Sequence, residues 1–324
     1  PRHLRGHVPL SGPVLTLSGG VGGAKLVLGL SKILDGDDLV VACNTGDDFD
    51  HLGLRICPDI DSVIYALSGL SDQQRGWGRR DETWTFMSAV KDLKGPDWFN
   101  LGDGDLATHV LRSEFLRQGQ TLGAVTADLA ACLGITANVC PMTDDPVATV
   151  VQTPTGDLAF QHYFVREQCQ PTVTGFHFDG IAKAQPNDQV INALRSDPKA
   201  IIVAPSNPYV SVDPILHIPG MLDALKGAKA PIVAVSPIVG GQAIKGPAAK
   251  MMAELGKDVS VLGIAQHYRD LLDGLVIDQQ DAHLAAEIER LGMRVHIAQT
   301  LMTDLDTRVS LAQTTLDFAS EIAQ

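Results

Sequence analysis

Apolar and polar positions alternate at two different periods over the first fifty residues. PVLTLSGG (13–20) is a short apolar run ending in glycine. AKLVLGLSKIL (24–34) repeats its apolar positions three and four apart, and DLVVACNTGDD (38–48) is a second apolar run that ends in polar residues. The first and third patterns predict buried strands and the second a helix, a strand–helix–strand order that implies a parallel sheet. Helical spacing recurs in IDSVIYALSGL, DLATHVLRSEFLRQG and TLGAVTADLAACLGI. VATVVQTPTGDLAFQHYFV instead alternates on either side of Thr155 and Gly156, which predicts an antiparallel pair. Further strands are predicted at AIIVAPSN, APIVAVSPIVGG and SVLGIAQH, each ending in small or polar residues with a helical segment behind it.

The expected fold is therefore α/β, with a mostly parallel sheet, one β-hairpin and a helical insertion over about 69–96, a stretch rich in Trp and charge. No internal repeat or low-complexity segment interrupts it, so residues 14–324 read as one domain and the basic opening, 1–13, as an arm. In such sheets ligands bind beyond the carboxyl ends of the strands.

Composition narrows the partners. The 324 residues are 45% hydrophobic and 19% charged, with a net charge of -13 and no basic stripe, which argues against nucleic acid or an anionic membrane. The opening lacks the apolar stretch of a signal peptide, and no later run is long enough to cross a bilayer. Five cysteines, Cys43, Cys57, Cys132, Cys140 and Cys169, contain no C-x-x-C pair, which predicts free thiols in a reducing, cytoplasmic setting.

The turn after the first strand carries Gly19, Gly20, Gly22 and Gly23 just before a helix, where backbone N–H groups and the helix dipole favour phosphate. Lys25 is followed by Leu26, so the hydroxyl that a Walker A loop needs for magnesium is absent. The dinucleotide fingerprint fits only in part, leaving an NAD-dependent oxidoreductase as a weaker alternative; close strand–helix packing is the plain structural one. Three strand-end loops hold paired carboxylates. NTGDDFDHLGLRICPDID brings Asp47, Asp48, Asp50, Asp59 and Asp61, which can hold Mg²⁺ or accept a proton, although Asp59 or Asp61 equally suits a helix cap. WFNLGDGDLATHVLR brings Asp103 and Asp105 before His109 and Arg112, and CPMTDDPVAT brings Asp144 and Asp145. Later loops offer Ser206, Asn207, Ser236, Gly240 and Gly241 as donors for a base and phosphates, with Lys245 to neutralise a diphosphate.

The set GGVGGAK, NTGDD, CPDID, LGDGDLATHVLR, PMTDDPV, PSNP, SPIVGG and KGPA, in this order from about residue 14 to 310, resembles the 2-phospho-L-lactate transferase family of coenzyme F-420 biosynthesis. The resemblance implies a Rossmann-like three-layer fold, usually dimeric. It also implies Mg²⁺-dependent transfer of a phospho-hydroxyacid unit from its guanosine diphosphate conjugate to 7,8-didemethyl-8-hydroxy-5-deazariboflavin, with GMP released. By similarity, the phosphates fall at Gly19, Gly20, Gly22, Gly23 and Lys25. The guanosine end falls near Ser206, Asn207, Ser236, Gly240, Gly241 and Lys245. The deazaflavin falls near Asp61 and Asn100, with Asp103, His109, Thr143 and Asp144 on the same side. Asp47 and Asp48 are the implied catalytic and metal residues. Relatives commonly carry Lys or Arg where Asn100 stands. A related group, the gluconeogenesis-factor proteins that bind nucleotide sugars as regulators, shares the glycine turn and supplies the rival reading.

Overall fold

A computed structural model describes residues 11–244 and 246–324. Seven strands form one sheet: β1 (Gly12–Ser18), β2 (Leu39–Cys43), β3 (Asn138–Pro141), β4 (Pro198–Val203), β5 (Ile232–Val235), β6 (Gly274–Asp278) and β7 (Arg294–Ala298). They lie in the order β7-β6-β5-β4-β1-β2-β3, with every pairing parallel. Parallel strands need crossovers, and the crossover helices cover both faces, so the central strands read as unbroken apolar runs.

Successive side chains serve opposite layers. Val14, Val41, Ile202 and Val276 pack against helix α1 (Gly20–Leu30), helix α2 (Pro58–Leu67) and the C-terminal helix, through residues such as Leu26, Ile64 and Phe318. Leu15, Leu17, Val203, Ala234 and Ile277 pack on the other side, with Val190, Leu225, Met252 and Ile264. Full burial of a leucine such as Leu15 or Leu17 contributes about 1.5–3 kcal/mol relative to exposure. This is the expected three-layer arrangement.

Residues 148–153 and 156–159 pair antiparallel as predicted, and 175–179 adds a third strand on the other edge of 148–153. The 69–96 stretch contains a single helix, Thr85–Asp92, and an isolated bridge between Ser71 and Arg79. One local expectation fails: SVLGIAQH is not a strand but a helix, Val261–His267, whose first turn is capped by Ser260 Oγ accepting from the N–H groups of Leu262 and Gly263. The serine ahead of the apolar run was an N-cap signal. The strand that fills that place in the sheet is β6. Among the described residues no helix is long and apolar enough to cross a membrane, and all five cysteines are free thiols.

Candidate functional site

From β1 the chain steps outward to β2 and β3; from β4 it steps the other way to β5, β6 and β7. The reversal between β1 and β4 opens a crevice at their carboxyl ends, the position where doubly wound sheets take ligands. The glycine turn and the loops beginning at Asn44, Thr143, Ser206 and Ser236 all leave strands at this edge.

At the turn, Gly19 donates its N–H to Ser206 Oγ at 3.1 Å, and the Ser206 hydroxyl donates back to the Gly19 carbonyl at 2.8 Å. A β-carbon on Gly22 would run into the Pro205 carbonyl oxygen, and one on Gly23 into the Ser18 and Ser206 hydroxyls. These positions meet the close-packing explanation. Gly20 differs: its φ is +62°, and a β-carbon there would face open space. Beyond it, the first-turn N–H groups of Val21, Gly22 and Gly23 have no intrahelical acceptor, as at any helix start.

Three buried carboxylates gather beside this turn. Asp59, in the first turn of α2, accepts the Gly20 N–H at 2.6 Å and the Asn44 amide at 2.9 Å. The same Asn44 amide nitrogen lies 3.1 Å from Asp47 Oδ1, and Gln161 Nε2 reaches Asp47 Oδ2 at 3.4 Å. Neither oxygen of buried Asp48 meets an N–H or hydroxyl donor; the Cys57 thiol beside it favours its ionised form, and the Arg55 guanidinium approaches only to 3.8 Å. Burial pushes the Asp48 carboxyl up to about 7 against the pull of Arg55, and that of Asp59 up to about 6 against its hydrogen bonds from Asn44 and Gly20. Asp47 is raised well above the carboxylate range by burial and by the charges of Asp59 and Asp48. Such a cluster can hold a proton near neutral pH or exchange it for a cation.

A second buried group lies behind it. Asp61 pairs with Arg112 through both terminal guanidinium nitrogens, Nη1 at 3.1 Å, and Arg112 Nη1 is 3.3 Å from His109 Nδ1. His109 Nε2 lies 3.2 Å from Asp105, which also accepts the Tyr65 hydroxyl. Ligand atoms of Asp61, Asp105 and His109 fall within 4.8 Å of one another, a set able to hold a metal ion. The Arg112 guanidinium already supplies positive charge there.

The remaining predicted residues divide by place. Thr143 is buried at the carboxyl end of β3, and Asp144 next to it accepts the Gly123 N–H at 2.6 Å, which ties down the helix Leu122–Cys132. Asp103 accepts from the Thr85 and Phe86 N–H groups and so caps the helix Thr85–Asp92; Asn100 is exposed. Asn207 accepts the Tyr209 N–H at 3.0 Å, and Ser236 bonds within its own turn to Ile238. Gly240 and Gly241 both have positive φ, and the Gly240 N–H donates to buried Asp281 at 3.0 Å. Lys25 lies on the flank of α1, where its ammonium donates to the Met302 carbonyl at 3.1 Å. Lys245 lies outside the described residues, as do the first ten residues of the predicted arm. Asn44, Arg55 and Gln161 escaped the sequence reading. Asn44 stood inside the quoted NTGDD motif, while Gln161 carries no local signal at all.

Trp98 packs in an aromatic cluster with Phe49, His51, Phe99 and His162, at centroid separations between 4.8 and 5.8 Å. This cluster adjoins the Asp47–Asp48 loop through Phe49 and leads to exposed Asn100.

The family model described as 2-phospho-L-lactate transferase CofD matches residues 14–314. The chain is 40% identical over 300 residues to the 2-phospho-L-lactate transferase of Methanosarcina barkeri, covering 93% of this chain and 96% of that protein. It is 37% identical over 316 residues to the phosphoenolpyruvate transferase of Kitasatospora aureofaciens, covering 95% and 98%. Among solved structures, a member of the UPF0052 family from Bacillus halodurans superposes with a TM-score of 0.60 at 14% identity, over 96% of this chain and 100% of that one. That likeness concerns the fold.

Proposed function

The chain belongs to the 2-phospho-L-lactate transferase CofD family, and from this we infer how its crevice works. It is a transferase of coenzyme F-420 biosynthesis, of the 2-phospho-L-lactate or phosphoenolpyruvate type. It moves that unit from a guanosine diphosphate conjugate to the deazaflavin 7,8-didemethyl-8-hydroxy-5-deazariboflavin. In the step we propose, the terminal ribityl hydroxyl attacks the phosphorus that carries the hydroxyacid. A new P–O bond forms, the bond to the GMP oxygen breaks, and the hydroxyl proton passes to a carboxylate.

The observation that best supports this assignment is the gathering of Asp47, Asp48 and Asp59 beside the open face of Gly20, at the strand-order reversal. The first turn of α1 takes the diphosphate, Ser206 and Asn207 with the Ser236–Gly241 loop take the guanosine end, and the acceptor enters past Asp61 and Asn100. Asp103 and Asp144 serve that side as the caps that fix its helices. In the cation-free protein Asp48 titrates near neutrality, so it can give up its proton as a cation enters; with the cation held there it stays ionised.

Mg²⁺ is a hard cation that prefers carboxylate oxygens and keeps room for phosphate and water. Asp47 and Asp48 fit it through the Asp48 oxygens that no N–H or hydroxyl donor meets, whereas the Asp61 group already has Arg112. Bound there, the ion would neutralise charge on the phosphates. The free thiols accord with a cytoplasmic setting, and a homodimer is the assembly this family assignment carries; sedimentation of the purified protein tests the latter.

Incubating the protein with Mg²⁺, the deazaflavin and each guanylated donor tests the assignment. GMP release with a product of matching mass is expected, strongly reduced in Asp47→Ala and Asp48→Ala. Tight nucleotide binding without GMP release would favour the regulatory, nucleotide-sugar-binding reading instead.

A further inference from the structure

Arg55 stands on the short hairpin of Phe49–His51 and Leu54–Ile56 that follows the Asp47–Asp48 loop, directly across from Asp50. Its backbone is held on both sides: the N–H donates to Ser113 Oγ at 2.7 Å, and the carbonyl accepts from Arg112 Nη1 at 3.4 Å. Its guanidinium is held loosely. It lies 3.8 Å from buried Asp48 and 3.6 Å from exposed Asp50, neither close enough for a hydrogen bond, and its side chain is 25% exposed. The charged head therefore stands where the acidic cluster meets solvent, with N–H donors still to give.

The charges around it make this position matter. Asp47, Asp48 and Asp59 are buried side by side in the crevice, and the donor substrate brings further negative charge. Besides its diphosphate, that donor carries a carboxylate, which the phospholactyl and phosphoenolpyruvyl units have in common. Two guanidinium groups act on Asp48, those of Arg55 and Arg112. Arg112 is fully buried and pairs with Asp61 through both terminal nitrogens, so Arg55 is the one placed to turn outward. A guanidinium matches the two oxygens of a carboxylate with paired N–H donors, which an ammonium does not.

We propose that Arg55 binds the carboxylate of the transferred phospho-hydroxyacid, its guanidinium turning from Asp48 and Asp50 to form a bidentate pair with the donor. This rests on the function inferred above and adds the contact that tells the donor from plain GDP. The contacts given up are long, and the one to Asp50 is screened by solvent, whereas the contact formed is a charge-assisted pair. Gripping the donor at its diphosphate and at its carboxylate fixes the phosphorus between them, the positioning that an in-line displacement needs.

Calorimetry in Mg²⁺ without the deazaflavin tests this with two ligands: the guanylated phospholactate, and the isopropyl ester of GDP, in which a methyl group replaces the carboxylate. Wild type is expected to bind the donor at least about tenfold more tightly than the ester, and Arg55→Gln to bring the two within about twofold of each other. Arg55→Lys keeps the charge but loses the fork, and should fall between them. A wild-type preference near unity, or a preference unchanged in Arg55→Gln, would overturn the proposal; the second result is what a purely electrostatic role beside Asp48 gives, since donor and ester then weaken alike. Should Arg55→Gln fail to fold, an unchanged preference in Arg55→Lys refutes it and a reduced one supports it. Wild-type GMP release with the deazaflavin is scored separately: turnover with an unchanged preference defeats this contact alone, and absence of both turnover and donor binding defeats the assigned function with it.

Discussion

The backbone N–H of Gly20 donates to the Asp59 carboxylate at 2.6 Å, although 39 residues separate them. The amide at the opening of α1, the natural seat for a phosphate oxygen, thus already meets an internal anion. Asp59 in turn shares the Asn44 amide with Asp47, so phosphate binding and the acidic cluster are parts of one electrostatic system.

Removing that internal anion frees the seat. Asp59→Ala is expected to tighten GDP binding in the absence of divalent cations severalfold, a gain on the order of 1 kcal/mol for a charge-assisted contact. Calorimetry in chelator checks this; unchanged or weaker binding would place the phosphates away from Gly20.

Asp48 makes stability depend on pH in a definite sense. Its folded-state pKa, about 7, lies above the ordinary value of 3.8, so the folded chain holds the proton more tightly than the unfolded one. The contribution is complete below about pH 4 and is lost as pH rises through 7. Asp48→Asn, neutral throughout, should therefore be more stable than wild type at pH 8, with the advantage shrinking as the pH falls and gone only below about pH 4. Thermal melts of both proteins over that range, in chelator, read the crossover directly.

Neighbouring glycines of the turn should respond differently to alanine. At Gly22 the added methyl meets the Pro205 carbonyl, part of the backbone that anchors Ser206, and overpacking of this kind costs typically about 1–3 kcal/mol. At Gly20 there is no clash, only the left-handed φ of +62°, costing about 1–2 kcal/mol, but the methyl projects into the open crevice. Gly22→Ala is expected to show the larger loss in urea unfolding, and Gly20→Ala the larger loss of GDP affinity relative to its stability change.

Arg112 is fully buried and compensates Asp61. Arg112→Met leaves that carboxylate unpaired inside the protein and should destabilise by about 3–5 kcal/mol, while the double variant with Asp61→Asn should recover much of the loss. Chemical denaturation of the four proteins in the cycle gives the coupling; additive effects would mean that the pair is not a unit.

Local patterns in the chain determined a great deal. Apolar runs alternating with helical spacing specify parallel strands under helices, and the glycines and the Asp47–Asp48 and Asp144–Asp145 pairs mark strand-end loops at one edge of the sheet, because periodicity and turn chemistry act over a few residues; the Asp103–Asp105 pair, expected at a third strand end, instead opens a helix reached from another helix. Even there SVLGIAQH misled, since a short apolar run suits a buried helix as well as a strand. Only the tertiary structure decided which groups meet. Ser206 reaches Gly19 across 187 residues and Gln161 reaches Asp47 across 114, contacts set by which strands neighbour each other. Direction was also a tertiary matter: Lys25, one turn beyond the glycines, leaves the crevice for the Met302 carbonyl, and Asp103 turns back to cap a neighbouring helix. A sequence states which side chains are present and how often they recur; the packing of distant elements fixes where each one points and what charge it faces.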